Sequence, residues 1–333
     1  MSAKRFDVTA IGNAIVDVLA QADDAFLEQH KLPKGAMNLI DTETAERLYG
    51  AMGPGKEASG GSAGNTIAGI AALGGRAAYI GKVADDQLGQ IFTHDIRAVG
   101  VTYDTPPLKG GLPTARSLIL VTPDAQRTMQ TYLGATTQLG PEDMNMDYIT
   151  GSKVVYLEGY LWDQPRAKEA MRNAAIKAAE AGTKVSLTLS DAFCVARFRD
   201  EFLDLAEHHV DILFANESEI LSLYQTSTFD EALQKVRAHC EIAALTRSEK
   251  GSVVVTREDV HIIDAEKGVT VIDTTGAGDA YAAGFLYAYT QGHDLVTCGR
   301  LGGAMAAEVI SQLGPRAEVA RIKELGERIL QRA

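Results

Sequence analysis

Residues 273–285 have the sequence DTTGAGDAYAAGF, and this stretch decides how the rest of the chain is interpreted. It follows a short β-branched run at residues 269–272 and opens a segment of small and apolar residues with helical periodicity. The pattern predicts a strand, a glycine-rich turn and the N-terminus of a helix. Gly276 and Gly278 would allow positive φ and a close approach of a ligand to the backbone. Because the first N–H groups of a helix lack intrahelical acceptors and its dipole adds positive charge there, the stretch predicts an anion site suited to a phosphate.

Asp279 places a carboxylate beside this predicted anion site. A carboxylate repels a phosphate, so its presence there needs a chemical reason. It would be suited to accept the proton of a hydroxyl group that attacks the phosphate. The alternative is that Asp279 only caps the helix, since Asp is common at helix N-termini. These residues alone leave both interpretations open.

Length and composition limit the class of protein. The 333 residues could form one large α/β domain or two smaller ones. With 46% hydrophobic and only 6% aromatic residues, the core must consist mainly of Ala, Val, Ile and Leu, which favours alternating strands and helices. The net charge of −12 argues against nucleic-acid or anionic-membrane partners. Three cysteines without metal-type spacing, no signal-like segment and no apolar run of transmembrane length predict a cytoplasmic protein.

From residue 154 onwards, short apolar runs alternate with segments of helical periodicity. We predict helices at 165–181 and 229–239, and strands at 154–157, 185–189, 212–215, 243–246 and 252–256. This alternation predicts an α/β fold with a mostly parallel central sheet flanked by helices. Ligands of such sheets bind at the carboxyl ends of the strands. We expect Asn216, Thr246 and the Gly276 turn to lie at such ends.

The N-terminal half predicts a small second sheet. Residues 115–122 and 128–133 have the pattern of a β-hairpin. Together with early extended segments, this hairpin could form a lid over the ligand site. The lid would comprise two discontinuous segments, approximately 12–42 and 106–135, of one domain spanning the chain. Arg127 near the hairpin tip could approach a phosphate, and the alternative is a solvated surface arginine.

Two polar motifs near the N-terminus predict a surface that binds hydroxyl groups. Asn13 and Asp17 are four residues apart in an apolar stretch, a spacing that places both on one face of a strand. The alternative is a turn asparagine and a solvated aspartate. Residues 60–66, GGSAGNT, open a predicted helix that runs to about residue 73. They lack the preceding strand and the acidic partner of a dinucleotide fingerprint, and Asn65 among them could bind a ligand hydroxyl or cap the helix.

Asn216 and Glu219 follow a predicted strand directly. They could form a capping box, with Asn216 as the N-cap and Glu219 as its partner. The functional alternative is that they hold water around a Mg²⁺ ion attached to nucleotide phosphates. The chain has neither a Walker A motif nor the catalytic-loop signature of protein kinases.

Taken together, these motifs resemble the ribokinase-like (PfkB) family of carbohydrate and nucleoside kinases. Three stretches match family motifs in the correct order: GGSAGN at 60–65, NESE at 216–219 and DTTGAGD at 273–279. GNAIVD at 12–17 and VDILF at 210–214 are similar to the adenosine kinase subgroup. The resemblance implies a ribokinase-like fold with a small β-sheet lid. It also implies transfer of the γ-phosphoryl group of ATP to the 5′-hydroxyl of a ribonucleoside, with adenosine, giving AMP, as the expected acceptor.

The resemblance also implies roles for individual residues. The catalytic group would comprise the base Asp279, the backbone of Gly276, Ala277 and Gly278, and Arg127. The acceptor would contact Asn13, Asp17, Asn38, Gly61, Ser62, Asn65 and Tyr160. ATP would contact Asn216, Thr246, Gly251, Gly276 and Gly278. Glu219 would hold Mg²⁺ through water, and a monovalent cation such as K⁺ would lie near Asp273.

The chain departs from the family pattern at two places. Residues 159–162 read GYLW where related kinases carry paired aromatics, and residues 246–248 read TRS where they commonly carry Gln and Gly. The alternatives are therefore a sugar kinase of the same family acting on ribose, fructose or a related sugar, a non-catalytic nucleoside-binding regulatory protein, and a dehydrogenase. We expect a small-molecule substrate and a monomer or homodimer, with no nucleic-acid or membrane partner.

Overall fold

The computed structural model describes residues 4–124 and 126–331, and these residues form a nine-stranded and a five-stranded sheet. Strands and helices are numbered in chain order. The nine-stranded sheet contains β1 (Phe6–Ile11), β5 (Ala77–Ile80), β6 (Thr102–Tyr103), β9 (Ser152–Glu158), β10 (Lys184–Thr188), β11 (Ile212–Asn216), β12 (Ile242–Thr246), β13 (Ser252–Thr256) and β14 (Val260–Ile263). Its order is β14-β13-β12-β11-β10-β9-β1-β5-β6. In this order, neighbouring strands between β12 and β6 are parallel. β13 pairs antiparallel with both β12 and β14.

The five-stranded sheet has the order β3-β8-β7-β2-β4. Its strands are β2 (Ile15–Gln21), β3 (Met37–Leu39), β4 (Gly55–Gly60), β7 (Ala115–Val121) and β8 (Arg127–Tyr132). β7 and β8 form the predicted antiparallel hairpin. β4 lies between the two segments that the sequence assigns to the lid, so the sheet includes a stretch outside those segments.

The helices are α1 (Asp24–Gln29), α2 (Thr42–Ala51), α3 (Ser62–Ala72), α4 (Gln87–Ala98), α5 (Met146–Thr150), α6 (Pro165–Glu180), α7 (Ala192–His208), α8 (Glu217–Tyr224), α9 (Phe229–His239), α10 (Ala277–Thr290), α11 (Leu295–Ile310) and α12 (Val319–Leu330). Asp and Thr side chains cap many of their N-termini, as Asp86 does for α4 and Thr228 for α9. Over residues 4–124 and 126–331, no helix combines the length and apolar composition that a membrane crossing requires.

Two hydrophobic cores lie on opposite faces of the nine-stranded sheet, because successive side chains of a strand alternate between faces. In β9, Val154 and Tyr156 join one core, whereas Val155 and Leu157 join the other. The first core packs against α3, α10 and α11, and the second against α6, α7 and α9. A mostly parallel sheet covered by helices on both faces, with a small second sheet, confirms the predicted architecture.

The sequence prediction differs from the structure at four places in the fold. It missed α2 and β4. Residues 269–272 are not a strand, and the N–H of Ile272 donates to the carbonyl of Ile310 at 2.8 Å. Asn13 precedes β2 rather than lying on it, so the strand-face argument for Asn13 and Asp17 does not hold.

Candidate active site

The DTTGAGD turn is shaped by Gly276, which is the N-cap of α10 and has φ +77°. A Cβ atom at this position would lie 2.6 Å from Cβ of Pro315, so both the backbone conformation and the space require glycine. Gly278 differs from the prediction, because it has helical φ and a Cβ there would meet nothing within 4 Å. The space in front of Gly278 is therefore open.

The backbone donors at the N-terminus of α10 differ in part from the predicted set. The N–H of Ala277 donates to the carbonyl of Thr274 at 3.2 Å, so it is already bonded within the chain. Among the described residues, the N–H groups of Gly276, Gly278 and Asp279 have no acceptor. Together with the helix dipole, these N–H groups are suited to an anion, as predicted for this turn.

Asp279 lies in the first turn of α10 and contacts the first turn of α3. Its carboxylate accepts hydrogen bonds from Oγ of Ser62 at 2.6 Å and from Nδ2 of Asn65 at 3.0 Å. Burial raises the pKa of Asp279 to about 6, although both hydrogen bonds and the charge of Arg316 oppose this rise. A carboxylate with this pKa is largely ionised at pH 7 and is basic enough to accept a proton.

Asp17 lies on β2, close enough to Asp279 for the two charges to interact. Burial raises the pKa of Asp17 to about 6, and the charges of Arg316 and Arg127 lower it. No described residue donates a hydrogen bond to its carboxylate. Gly60 leaves room for this group, because a Cβ at that position would overlap Asp17. Asp17 is therefore an open acceptor for a ligand hydroxyl.

Glu158, the last residue of β9, is a functional candidate that the sequence interpretation missed. It is buried, and its carboxylate accepts hydrogen bonds from Nδ2 of Asn13 at 2.6 Å and from the N–H of Ala63 at 2.9 Å. Burial raises its pKa to about 7, which the bonds from Ala63 and Asn13 counteract. The available signal was an acidic residue at the carboxyl end of an apolar strand, where ligands of parallel sheets bind.

Asn13 and Gly61 lie next to each other, close to Glu158. Oδ1 of Asn13 accepts from Oγ1 of Thr136 at 2.9 Å, so the side chain is bonded on both sides within the protein. Gly61 is the N-cap of α3 with φ +85°, and a Cβ there would overlap the carbonyl of Asn13. The glycine pair at 60–61 therefore allows α3 to begin directly against Asn13 and Asp17.

Arg127, at the start of β8, connects the five-stranded sheet to the DTTGAGD turn. Its Nη1 donates to the carboxylate of Asp273 and to Oγ1 of Thr275. Its Nε and Nη2 are buried without a partner among the described residues. A buried guanidinium with unsatisfied donors costs free energy unless another group accepts from those donors. The arginine is not the solvated surface side chain of the alternative interpretation.

Asp273 is held by three groups. Besides Arg127, it accepts from the N–H of Thr275 at 3.0 Å and from the N–H of Gly314 at 2.9 Å. The predicted site of a monovalent cation is therefore a carboxylate that already organises the turn.

Arg316 was also missed, and it lies among the predicted site residues. Its Nε donates to Oδ1 of Asn65 at 2.9 Å, and its Nη1 donates to Oγ of Ser59 at 2.7 Å. Burial lowers the pKa of Arg316, and the charges of Asp17 and Asp279 oppose this effect. Arg316 lies outside the sequence motifs, so the sequence gives no signal that it belongs to the candidate active site.

The predicted nucleotide residues lie at the carboxyl ends of neighbouring strands. Asn216 and Thr246 are paired residues of β11 and β12. The capping box is present, since Asn216 accepts from the N–H of Glu219 at 2.9 Å and Glu219 accepts from the N–H of Asn216 at 2.9 Å. Burial raises the pKa of Glu219 to about 7. Gly251, with φ +82°, closes the turn between β12 and β13.

The remaining two predicted acceptor residues have different positions. Tyr160 follows β9, and its hydroxyl donates to the carbonyl of Ser190 at 3.3 Å. Asn38 does not join the site. Asn38 pairs with Gln130, and Asp17 lies in register with Ser117 and Thr131. Because Gln130 and Thr131 are consecutive residues of β8, their side chains point to opposite faces, and so do those of Asn38 and Asp17.

The comparison with protein families shows to which family the chain belongs. Residues 37–321 match the family described as pfkB family carbohydrate kinase. The chain belongs to the pfkB family of carbohydrate kinases. Kinases of this family are phosphotransferases that act on hydroxyl groups and use ATP and Mg²⁺. The predictions of the family and of an enzyme with an alcohol acceptor are confirmed, and the dehydrogenase alternative does not hold.

Similar proteins within the pfkB family include nucleoside and sugar kinases. An adenosine kinase from Sinorhizobium meliloti is 56% identical, with a TM-score of 0.90 and coverage of 99% of this chain and 100% of that chain. A probable sugar kinase from Rhizobium etli is also 56% identical, with a TM-score of 0.90 and 98% coverage of each chain. A 5-dehydro-2-deoxygluconokinase from Bacillus licheniformis is 27% identical over 338 residues, covering 98% of this chain and 96% of that protein. These similarities confirm the ribokinase-like fold.

Some of the described residues have donor groups that suit the phosphates of ATP. The open backbone donors at Gly278 and Asp279, together with the unpartnered nitrogens of Arg127, suit phosphate oxygens. Within the described ranges, His, Cys, Asp and Glu side chains form no cluster of three or more that could hold a metal ion. The water-mediated contact of Glu219 with Mg²⁺ stays a prediction.

Proposed function

We propose that this pfkB kinase transfers the γ-phosphoryl group of ATP to the 5′-hydroxyl of adenosine, giving AMP and ADP. The observation that carries the proposal is the position of Asp279. Its carboxylate stands at the N-terminus of α10, beside open N–H donors and within the field of Asp17. The 56% identity to an adenosine kinase over the whole chain supports adenosine as the acceptor.

Asp279 would act as the general base. Its pKa of about 6 lets it take the proton of the 5′-hydroxyl at neutral pH, while Ser62 and Asn65 hold the carboxylate in place. The oxygen of the acceptor then attacks the γ-phosphorus, and the bond to the β-phosphate oxygen breaks. The negative charge on the transferring group would be stabilised by the N–H groups of Gly278 and Asp279 and by Arg127.

The acceptor hydroxyls would be bound by Asp17, which has an unpartnered carboxylate on the face of the five-stranded sheet that also carries Arg127. Asn65 and Gly61 border the same space, and Glu158 holds Asn13 and α3 in position below it. Bound Mg²⁺ would neutralise phosphate charge, with Glu219 as an outer contact. A monovalent cation near Asp273 stays a prediction.

The five-stranded sheet would act as a lid. It contributes Asp17 and Arg127 to the site from strands that are separate from the nine-stranded sheet. Movement of this sheet towards α10 would exclude water from the transferring phosphoryl group and limit ATP hydrolysis.

A sugar kinase is the second candidate, because the probable sugar kinase from Rhizobium etli is as similar to this chain as the adenosine kinase is. Such an enzyme would keep Asp279 as the base and use Asp17 for a sugar hydroxyl. The chemistry of the reaction centre would be the same.

A coupled ADP-release assay distinguishes these candidates. ATP and Mg²⁺ are supplied with adenosine, guanosine, inosine, cytidine, ribose or fructose, with and without K⁺. A dominant rate with adenosine at micromolar concentration supports the proposal. A dominant rate with a sugar contradicts the acceptor but keeps the base, and the absence of ADP release with every acceptor contradicts the kinase proposal for these substrates.

A further inference from the structure

The short segment Gly314–Arg316 crosses both halves of the site. The N–H of Gly314 donates to Asp273, and Pro315 packs on Gly276. Arg316 then extends to α3, where its Nε donates to Asn65. Three consecutive residues thus contact the DTTGAGD turn on one side and the GGSAGN motif on the other.

Arg316 determines which way the Asn65 amide points. Because Oδ1 of Asn65 accepts from Nε of Arg316 at 2.9 Å, its Nδ2 is directed to Asp279, where it donates at 3.0 Å. With the amide reversed, Nδ2 would face the guanidinium, which has no acceptor, and Oδ1 would face the carboxylate. Arg316 therefore fixes the hydrogen-bond donor that holds the proposed base.

The third nitrogen of Arg316 has no partner. Nη1 donates to Ser59 at 2.7 Å, whereas Nη2 is buried against Gly64 with no acceptor among the described residues. A buried N–H group of a cation costs free energy when it has no acceptor. A substrate hydroxyl that reached Nη2 would supply the missing acceptor.

Asp17 supplies the complementary half of that contact. Of the carboxylates whose fields act on Arg316, Asp17 has the largest effect. Its own carboxylate is unpartnered among the described residues, so an unpartnered acceptor lies within the electrostatic range of the unpartnered Nη2 donor. A hydroxyl group both donates and accepts, and it would satisfy the two side chains at once.

We propose that Arg316 binds the acceptor substrate through Nη2, donating to a hydroxyl oxygen that Asp17 also contacts, and that it positions Asn65 against Asp279. This inference rests on the proposed kinase reaction. It assigns a recognition role to a residue outside the three family motifs.

Arg316 should also influence the proton affinity of Asp279. The charged and titratable groups that act there are Arg316 from the C-terminal segment, Asp17 from β2, and Glu158 with its neighbours Tyr156 and Tyr160 at the end of β9. Arg316 is the cation among them that lowers the pKa of Asp279. Removal of its charge should shift the acid limb of the kcat/KM profile to higher pH.

The test compares Arg316→Met and Arg316→Lys with Arg321→Met, a matched control on the exposed side of α12, where Arg321 bonds Glu308. Circular dichroism and melting temperature first establish folding. For Arg316→Met we expect the acceptor KM to rise at least tenfold, kcat to fall at least tenfold, and the ATP KM to stay within twofold. Lys should restore the acid limb but not the acceptor KM, and Arg321→Met should match the wild type.

An unchanged acceptor KM and an unshifted acid limb in folded Arg316→Met would overturn the inference, since a merely structural role would lower only the melting temperature. If Arg316→Met does not fold, Arg316→Lys decides, because a normal acceptor KM in that variant contradicts the contact through Nη2. Calorimetric titration with adenosine separates this inference from the kinase proposal. If the wild type binds adenosine but releases no ADP, the kinase proposal fails. The role of Arg316 is still supported in that case if Arg316→Lys binds adenosine at least tenfold more weakly. A wild-type chain that neither binds nor phosphorylates any acceptor overturns both.

Discussion

Replacement of Gly276 by Ala tests the geometry of the DTTGAGD turn. An L-residue at φ +77° costs about 1–2 kcal/mol relative to glycine. The new Cβ would lie 2.6 Å from Cβ of Pro315 and 2.8 Å from its Cα and carbonyl oxygen, an overlap that costs about 1–3 kcal/mol to relieve. We therefore expect the free energy of unfolding to fall by about 2–5 kcal/mol. Because Pro315 precedes Arg316, its displacement should also disturb the contact with Asn65.

Gly278→Ala is the matched control two residues along the same turn. Gly278 has helical φ, and its Cβ would meet no atom within 4 Å, so we expect the free energy of unfolding to stay unchanged or rise by up to about 1 kcal/mol. The methyl group would nevertheless occupy the space in front of the N–H donors. We expect the KM for ATP to rise at least tenfold.

Urea denaturation followed by circular dichroism measures the first effect, and the coupled ADP-release assay measures the second. A Gly276→Ala variant within 0.5 kcal/mol of the wild type, a threshold set by typical neutral surface substitutions, would refute the steric reasoning. A Gly278→Ala variant with a normal KM for ATP would show that the phosphate lies elsewhere.

The further predictions concern ionisable groups. Asp279→Asn should lower kcat by about 10²- to 10⁴-fold in the ADP-release assay. The same variant should raise the free energy of unfolding at pH 8 by about 1–3 kcal/mol. Burial raises the pKa of Asp279 from 3.8 to about 6, so the contribution of the protonated side chain to stability is complete below pH 3.8 and is lost as the pH rises through 6. Urea denaturation should therefore show no increase in the stability of the variant over the wild type near pH 4. In the wild type, kcat/KM should fall about tenfold per unit below pH 6 as Asp279 is protonated, and a pH-independent rate between 5 and 7 would contradict the base role. Glu219→Gln keeps the capping box, so its melting temperature should equal that of the wild type, while the Mg²⁺ concentration for half-maximal activity should rise severalfold. Arg127→Gln should raise the KM for ATP at least tenfold without changing acceptor binding measured by calorimetry.

The sequence was sufficient for features that depend on local geometry. The Gly276 turn, the α10 N-terminus and the Asn216–Glu219 capping box each follow from short-range rules and are present in the structure. The regular strands from β9 to β13 were predicted because their apolar runs are bounded by clear helical segments.

Features that depend on partners far along the chain could not be predicted. β4 has the sequence GKEASG, which lacks β-branched and aromatic residues, and it forms a strand only because it pairs with β2 at the edge of the small sheet. The opposite error occurred at residues 269–272, whose β-branched run has strong strand propensity but bonds the end of α11 instead of a strand.

Side-chain roles show the same division. Asn38 lies on a predicted extended segment, but the register of β3 with β8 decides its face, and the sequence does not reveal that register. Arg316 acquires its importance from its tertiary contact with Asn65, whereas Glu158 combines its contact with Ala63 and a position at the carboxyl end of β9, which was the one available sequence signal.

The span between Asn65 and Arg316 has a consequence for biosynthesis. The two residues are 251 positions apart, and ribosomes add about 5–20 residues per second, so roughly 13–50 s separate their appearance on a growing chain. During that interval the acceptor-binding half of the cleft lacks the contact that orients Asn65. We therefore expect a chain that ends before Arg316 to have lower kinase activity than the full chain, even if most of its sheet has formed.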